Sequence, residues 1–252
     1  MSTVQLERRG AIAIVTLNRP DCLNAISDSL LTDFQARLDE AAADSQARVL
    51  VLRAAGRAFC AGDDLNELSQ AEYDESLAKD FIGRLQNITR SLMLGRQPVI
   101  CAVQGYVVGG GVAWPLNADF TIFADDAVLF TPEASHGLFA SGGTTLLLAR
   151  RCGQEAANRI LHFGERIDAA NLLRMGIAGE VAPSGALERR SMELAEQLCA
   201  LPPESLIRLK AANAALIRDT LEQALAIESV HCIEASLDAA ARARAAKKLT
   251  RA

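Results

Sequence analysis

The chain has 252 residues, a formal net charge of −5 and a hydrophobic fraction of 50%. Such a length and apolar content are ample for a large buried core, and the acidic balance excludes a basic field for nucleic acid or an anionic membrane surface. Cys22, Cys60, Cys101, Cys152, Cys199 and Cys232 are scattered without a Cys-x-x-Cys pair, and the start Met1-Ser2-Thr3 is polar, which together read as reduced core thiols in a cytoplasmic protein.

Residues 11–17 (AIAIVTL) and 49–53 (VLVLR) read as buried strands. Between them, Leu30, Leu31, Phe34 and Leu38 recur at helical spacing behind Ser27, which predicts a Ser-capped helix over 27–43. A glycine-bearing loop, Gly56 to Leu65, follows the second strand; Asp63 and Asp64 in it could cap a helix starting near Leu65. Residues 67–94 are rich in helix formers and charge. Strand candidates follow at 99–103, 119–123 and 128–130, each near a helix candidate, and this alternation argues for an α/β fold. Beyond Ser184 the pattern is helical, and Leu201-Pro202-Pro203 divides the chain into a core of residues 1–200 and a helical C-terminal region of residues 201–252.

The run from Val99 to Leu116 is apolar enough to suggest a membrane span, but Gln104 and its glycines argue against one. Its centre, Gly109-Gly110-Gly111, lies between a strand and a second apolar stretch. That pattern leaves bare backbone amides at a helix start, able to hold a developing negative charge. The triplet lacks the Gly-Lys-Ser/Thr ending of a phosphate loop and the spaced glycines of a dinucleotide loop. With the Gly56–Leu65 loop it could supply two amide donors from separate segments, as an oxyanion hole requires. Thr131-Pro132-Glu133 reads as a helix start, with Thr131 as cap and Glu133 as first-turn acid. His136, His162 and His231 have no metal-ligand spacing, so no metal is expected, and no Gly-x-Ser-x-Gly elbow is present.

Residues 56–68 (GRAFCAGDDLNEL), 98–134 (PVICAVQGYVVGGGVAWPLNADFTIFADDAVLFTPEA), 137–150 (GLFASGGTTLLLAR) and 163–181 (FGERIDAANLLRMGIAGEV), with Leu17 to Pro20 and Leu23 to Ala25 before them, resemble the crotonase, or enoyl-CoA hydratase/isomerase, superfamily. The resemblance implies a spiral of ββα repeats, a helical C-terminal trimerisation region, and a homotrimer or homohexamer. It implies an acyl-CoA thioester substrate and no separate cofactor, CoA being part of the substrate. It places the oxyanion amides on Asp63 and Gly110, the catalytic carboxylate on Glu133, and the CoA and acyl path at Leu23, Ala25, Asp64, Leu65 and Asn66.

Hydratases of this superfamily carry a second glutamate two residues after the triplet, where this chain has Ala113. Moving a double bond from the 3- to the 2-position needs only one base, so the expected reaction is isomerisation by Glu133. Hydration, 3-hydroxyacyl-CoA hydrolysis and a binding-only role are the alternatives. Lys247 and Lys248 stand where the tail could reach a CoA phosphate or simply end a helix. His136 could assist a proton transfer or be structural, and Cys60 is read as a buried thiol rather than a nucleophile.

Overall fold

The computed structural model describes residues 2–64, 67, 74–238, 240 and 241. Leu65, Asn66, Lys247 and Lys248 lie outside the described residues.

The chain opens with an antiparallel hairpin, β1 (Val4–Arg9) against β2 (Ile12–Leu17). β2 then pairs in parallel with β3 (Val49–Ala54), and β5 (Val99–Val103), β7 (Phe120–Ala124) and β10 (Glu180–Ala182) extend the same sheet in the order β1-β2-β3-β5-β7-β10. A second sheet runs β4 (Ala58–Cys60), β6 (Tyr106–Val108), β8 (Val128–Phe130) and β9 (Ile167–Asp168), with the first three parallel. Each successive pair, β3 with β4, β5 with β6 and β7 with β8, thus sends one strand to each sheet. Neighbouring parallel strands end at the same edge. The residues that follow β4, β6 and β8 are therefore brought side by side, and they include Asp63, Gly110 and Glu133.

The apolar run 99–116 is not one helix. It divides into β5, β6, a 3-10 turn at Gly109–Val112 and the short helix α3 (Ala113–Leu116). Gly105 makes the break: its φ is +56°, and a Cβ there would stand 2.0 Å from the Arg57 carbonyl oxygen. Among the described residues no helix is long and apolar enough to cross a membrane.

Helix α1 (Asp28–Ala43) starts where predicted, the Ser27 hydroxyl accepting from the Leu30 amide at 3.1 Å. Its buried face carries Leu30, Leu31, Phe34 and Leu38. Helix α2 (Glu75–Leu94), capped by Asp74, buries Ile82, Leu85, Ile88 and Leu92 into the same core. Trp114 of α3 is buried between them, its ring edge-on to Phe34 at 5.1 Å and to Phe59 at 6.4 Å. This anchor ties the end of the glycine triplet to α1 and β4.

After α4 (Glu133–His136) come α5 (Thr144–Cys152), α6 (Gln154–Phe163) and α7 (Ala169–Arg174). Helix α8 (Leu187–Cys199) covers the outer face of the larger sheet, where Leu187, Ala195 and Leu198 meet Ile14, Val51 and Ile100. The last helix, α9 (Pro203–Leu237), has 35 residues and a length of about 50 Å at 1.5 Å per residue. It packs on α2 through the Arg90–Glu222 ion pair at 2.8 Å and a bond from the Gln86 amide group to the Leu225 carbonyl at 2.7 Å. Buried Lys210 donates to Leu92 O and to the Asp119 carboxylate, which also holds the Val99 amide at the start of β5.

Candidate functional site

Residues 23–26 and 61–64 are zipped together by main-chain bonds. Ala61 N donates to Leu23 O at 3.0 Å, Ile26 N to Gly62 O at 2.8 Å, and Asp64 N to Ile26 O at 2.8 Å. In such a parallel pairing the residue between the two bonded groups turns its own amide to the opposite side. That residue is Asp63, paired with Ile26. Gly110 lies in the first turn of the 3-10 helix, where an amide has no preceding intrahelical carbonyl. The two backbones are neighbours: a Cβ built on Gly110 would stand 3.2 Å from Asp63 Oδ1, and one on Gly62 would stand 3.1 Å from the Val108 carbonyl oxygen.

Glu133 opens α4 directly after β8. Thr131 does not cap this helix as the sequence predicts, because its hydroxyl donates instead to the Ile160 carbonyl at 2.7 Å; Pro132 occupies the cap position. The Glu133 carboxyl folds back onto the triplet, with Oε1 3.0 Å from where a Cβ on Gly109 would be. Oε2 is shut off from solvent without a hydrogen-bond partner, and so is Asp63 Oδ1. Burial, and after it the facing Asp63 charge, push the Glu133 carboxyl up to about 8. Burial pushes Asp63 up to about 6.

Beside these groups is a small, largely apolar pocket of about 50 Å³, walled by Asp63, Ala78, Ile82, Leu85, Phe139 and Cys232. Burial drives the Cys232 thiol well up, with the Glu228, Asp63 and Glu133 charges adding to the effect. Glu228 of α9 accepts from the Gly143 and Thr145 amides at 2.7 and 2.9 Å and so holds the start of α5.

The structure brings Asp63, Gly110 and Glu133 together and places Leu23, Ala25 and Asp64 in the adjoining loops. The Asp64 carboxylate is paired with Arg19 at 3.1 Å, and Arg19 also donates to the Ala25 carbonyl at 2.8 Å. Asn24, at φ 53°, bonds Ala55 O and Ala58 O and accepts from Arg19 N. Arg19, Asn24 and Glu228 were not singled out in the sequence; the Leu-Asn-Ala tripeptide was the available signal for Asn24, whose polar side chain is fully buried. His136 Nδ1 is engaged by the Pro132 carbonyl at 2.8 Å. Burial pushes the Cys60 thiol up to about 12, which leaves it no nucleophilic character at neutral pH.

The sequence model of the enoyl-CoA hydratase/isomerase family matches residues 7–241. The chain belongs to this family, and so to the crotonase superfamily. It is 30% identical over 91% of its length to the short-chain-enoyl-CoA hydratase of Clostridium acetobutylicum, covering 87% of that protein. With the 2,3-dehydroadipyl-CoA hydratase of Escherichia coli it shares 31% identity over 89% of the chain and 85% of the relative. An enoyl-CoA hydratase/isomerase structure from Mycobacterium paratuberculosis superposes with a TM-score of 0.92 at 26% identity, covering 98% of each chain. The chain is thus an acyl-CoA enzyme of the enoyl-CoA hydratase/isomerase family, with the α/β fold of its structural relatives.

Proposed function

We propose that the protein hydrates a 2-enoyl-CoA thioester, the amides of Asp63 and Gly110 holding the thioester oxygen while Glu133 delivers the proton to the α-carbon. The Glu133 carboxyl carries this reading. It is shut off from solvent against Gly109, and that burial pushes it up to about 8, which favours the protonated form at neutral pH. A carboxyl in that state is suited to donate a proton to a forming enolate. The names of the two curated relatives, both hydratases, support the same reading.

Isomerisation of a 3-enoyl-CoA is the second reading, favoured by Ala113 where a second glutamate would stand. It requires Glu133 to begin ionised, which the burial of its carboxyl opposes. The acyl group would enter the pocket between α2 and Phe139, with Leu23, Ala25, Asp64, Leu65 and Asn66 along the CoA path.

The test is incubation of the purified protein with a 2-enoyl-CoA and, separately, a 3-enoyl-CoA, followed by mass spectrometry, with Glu133→Gln as control. Gain of one water by the 2-enoyl thioester, lost in the variant, is the expected result. Conjugation of the 3-enoyl thioester without mass change, and no hydration, overturns it.

A homotrimer or homohexamer belongs to the same proposal. Exposed Leu209, Leu216, Ile227 and Val230 fall on one face of α9 at helical spacing. Light scattering that returns a monomer mass would remove this part.

A further inference from the structure

We infer that the side-chain carboxylate of Asp63 is a second catalytic group, the base that takes a proton from water as it adds to the β-carbon. This rests on the hydration reading above.

Hydration needs a base for the water as well as an acid for the α-carbon. Ala113 offers no such group and is closed in: it is buried, and a Cβ on Gly142 would come 2.6 Å from its own Cβ. The other candidates near the pocket are occupied. Asp64 is paired with Arg19, His136 with the Pro132 carbonyl, and the Cys232 thiol with the Phe139 and Ala140 carbonyls at 3.6 and 3.5 Å. Asp63 differs from all of these. Its backbone neighbours are locked to Ile26, its side chain lines the acyl pocket, and Oδ1 is cut off from solvent beside Gly110 with no hydrogen-bond partner. Asp63 lines the pocket, and the lone pairs of a carboxylate that faces such a space can accept from a water bound there.

One residue then serves twice, its amide facing the thioester oxygen and its carboxylate facing the incoming water. The water oxygen bonds to the β-carbon, its proton passes to Asp63, and the π-electron pair moves onto the thioester oxygen as an enolate. The enolate collapses by taking the Glu133 proton at the α-carbon. Transfer of the proton from Asp63 to Glu133 restores the pair, so substrate and water are the only reactants and the 3-hydroxyacyl thioester the only product. Burial raises both carboxyls, and a resting pair that shares one proton is the starting state of this cycle.

The test compares wild type, Asp63→Asn and Asp63→Glu by kcat/KM for hydration of a 2-enoyl-CoA against pH. Asp63→Asn is expected to lose hydration by about 10²–10³-fold, with the acid limb near 6 gone, and Asp63→Glu, which keeps a carboxylate, to recover part of the rate. Hydration retained within about fivefold in Asp63→Asn overturns the inference, and so does a loss that leaves the acid limb unmoved or is equal in Asp63→Glu. A wild type that isomerises a 3-enoyl-CoA but adds no water would instead remove the hydration reading, and this inference with it. Should Asp63→Asn not fold, Asp63→Ser is read by the same assay.

Discussion

The Glu133 carboxyl rests on Gly109, with Oε1 3.0 Å from the point where any larger residue at 109 would place its Cβ. Gly109 is also at φ +56°, in the left-handed region. Both facts require glycine, one for the backbone and one to leave room for the acid. Gly109→Ala is therefore expected to cost about 1–2 kcal/mol of stability and to displace Glu133, lowering kcat by about 10²-fold or more while CoA binding changes little. Thermal unfolding and steady-state kinetics check this; a variant with wild-type kcat would show that Glu133 does not depend on this contact.

Glu133 also sets a pH dependence of stability. Its folded value of about 8 lies above the ordinary carboxyl range. The folded state thus holds its proton more tightly than the unfolded chain, and the contribution to stability is full in acid and is lost as pH rises through 8. Gln cannot ionise. Glu133→Gln should match wild type below about pH 4.5 and exceed it by up to about 5 kcal/mol at pH 9, because the unfolded carboxyl ionises from about 4.5 while the folded one holds its proton to about 8. Melting temperatures across that range decide it, and parallel curves for the two proteins would refute the assignment.

Glu228 acts 85 residues from its partner, its carboxylate collecting the Gly143 amide and, two residues on, the Thr145 amide and hydroxyl. Glu228→Ala leaves these donors buried without an acceptor, a loss of about 1–3 kcal/mol. Because the same loop presses Gly142 against Ala113, the hydration rate should fall as well. Glu228→Gln keeps one acceptor oxygen and should recover part of both. Calorimetry and the hydration assay on the two variants test it; equal stability of Glu228→Ala and wild type would remove the capping role.

Much of the fold was legible because several of its strands are short apolar runs bounded by turn residues. Val99 to Val103 and the segment 128–130 read as strands, and the structure places strands there with the same bounds, since an unbroken apolar run between turn residues has few other uses. β1 escaped notice because it lies at the sheet edge, with Val4 its one fully buried residue. β9 has two residues and exists only through its pairing with β8.

The sequence by itself determined the strand and helix alternation, because the local hydrophobic period is written within short windows of chain, while the family and the candidate trio of Asp63, Gly110 and Glu133 were legible through the resemblance of its motifs to the crotonase superfamily. It could not tell a passive Asp63 side chain from an active one. Only the tertiary structure brings the Asp63 and Glu133 carboxyls, some seventy residues apart, close together and out of solvent, by laying β4, β6 and β8 side by side. Their charge states, the closure of the Ala113 position and the reach of Glu228 from α9 all follow from desolvation and contact across long sequence separations, which no local pattern records.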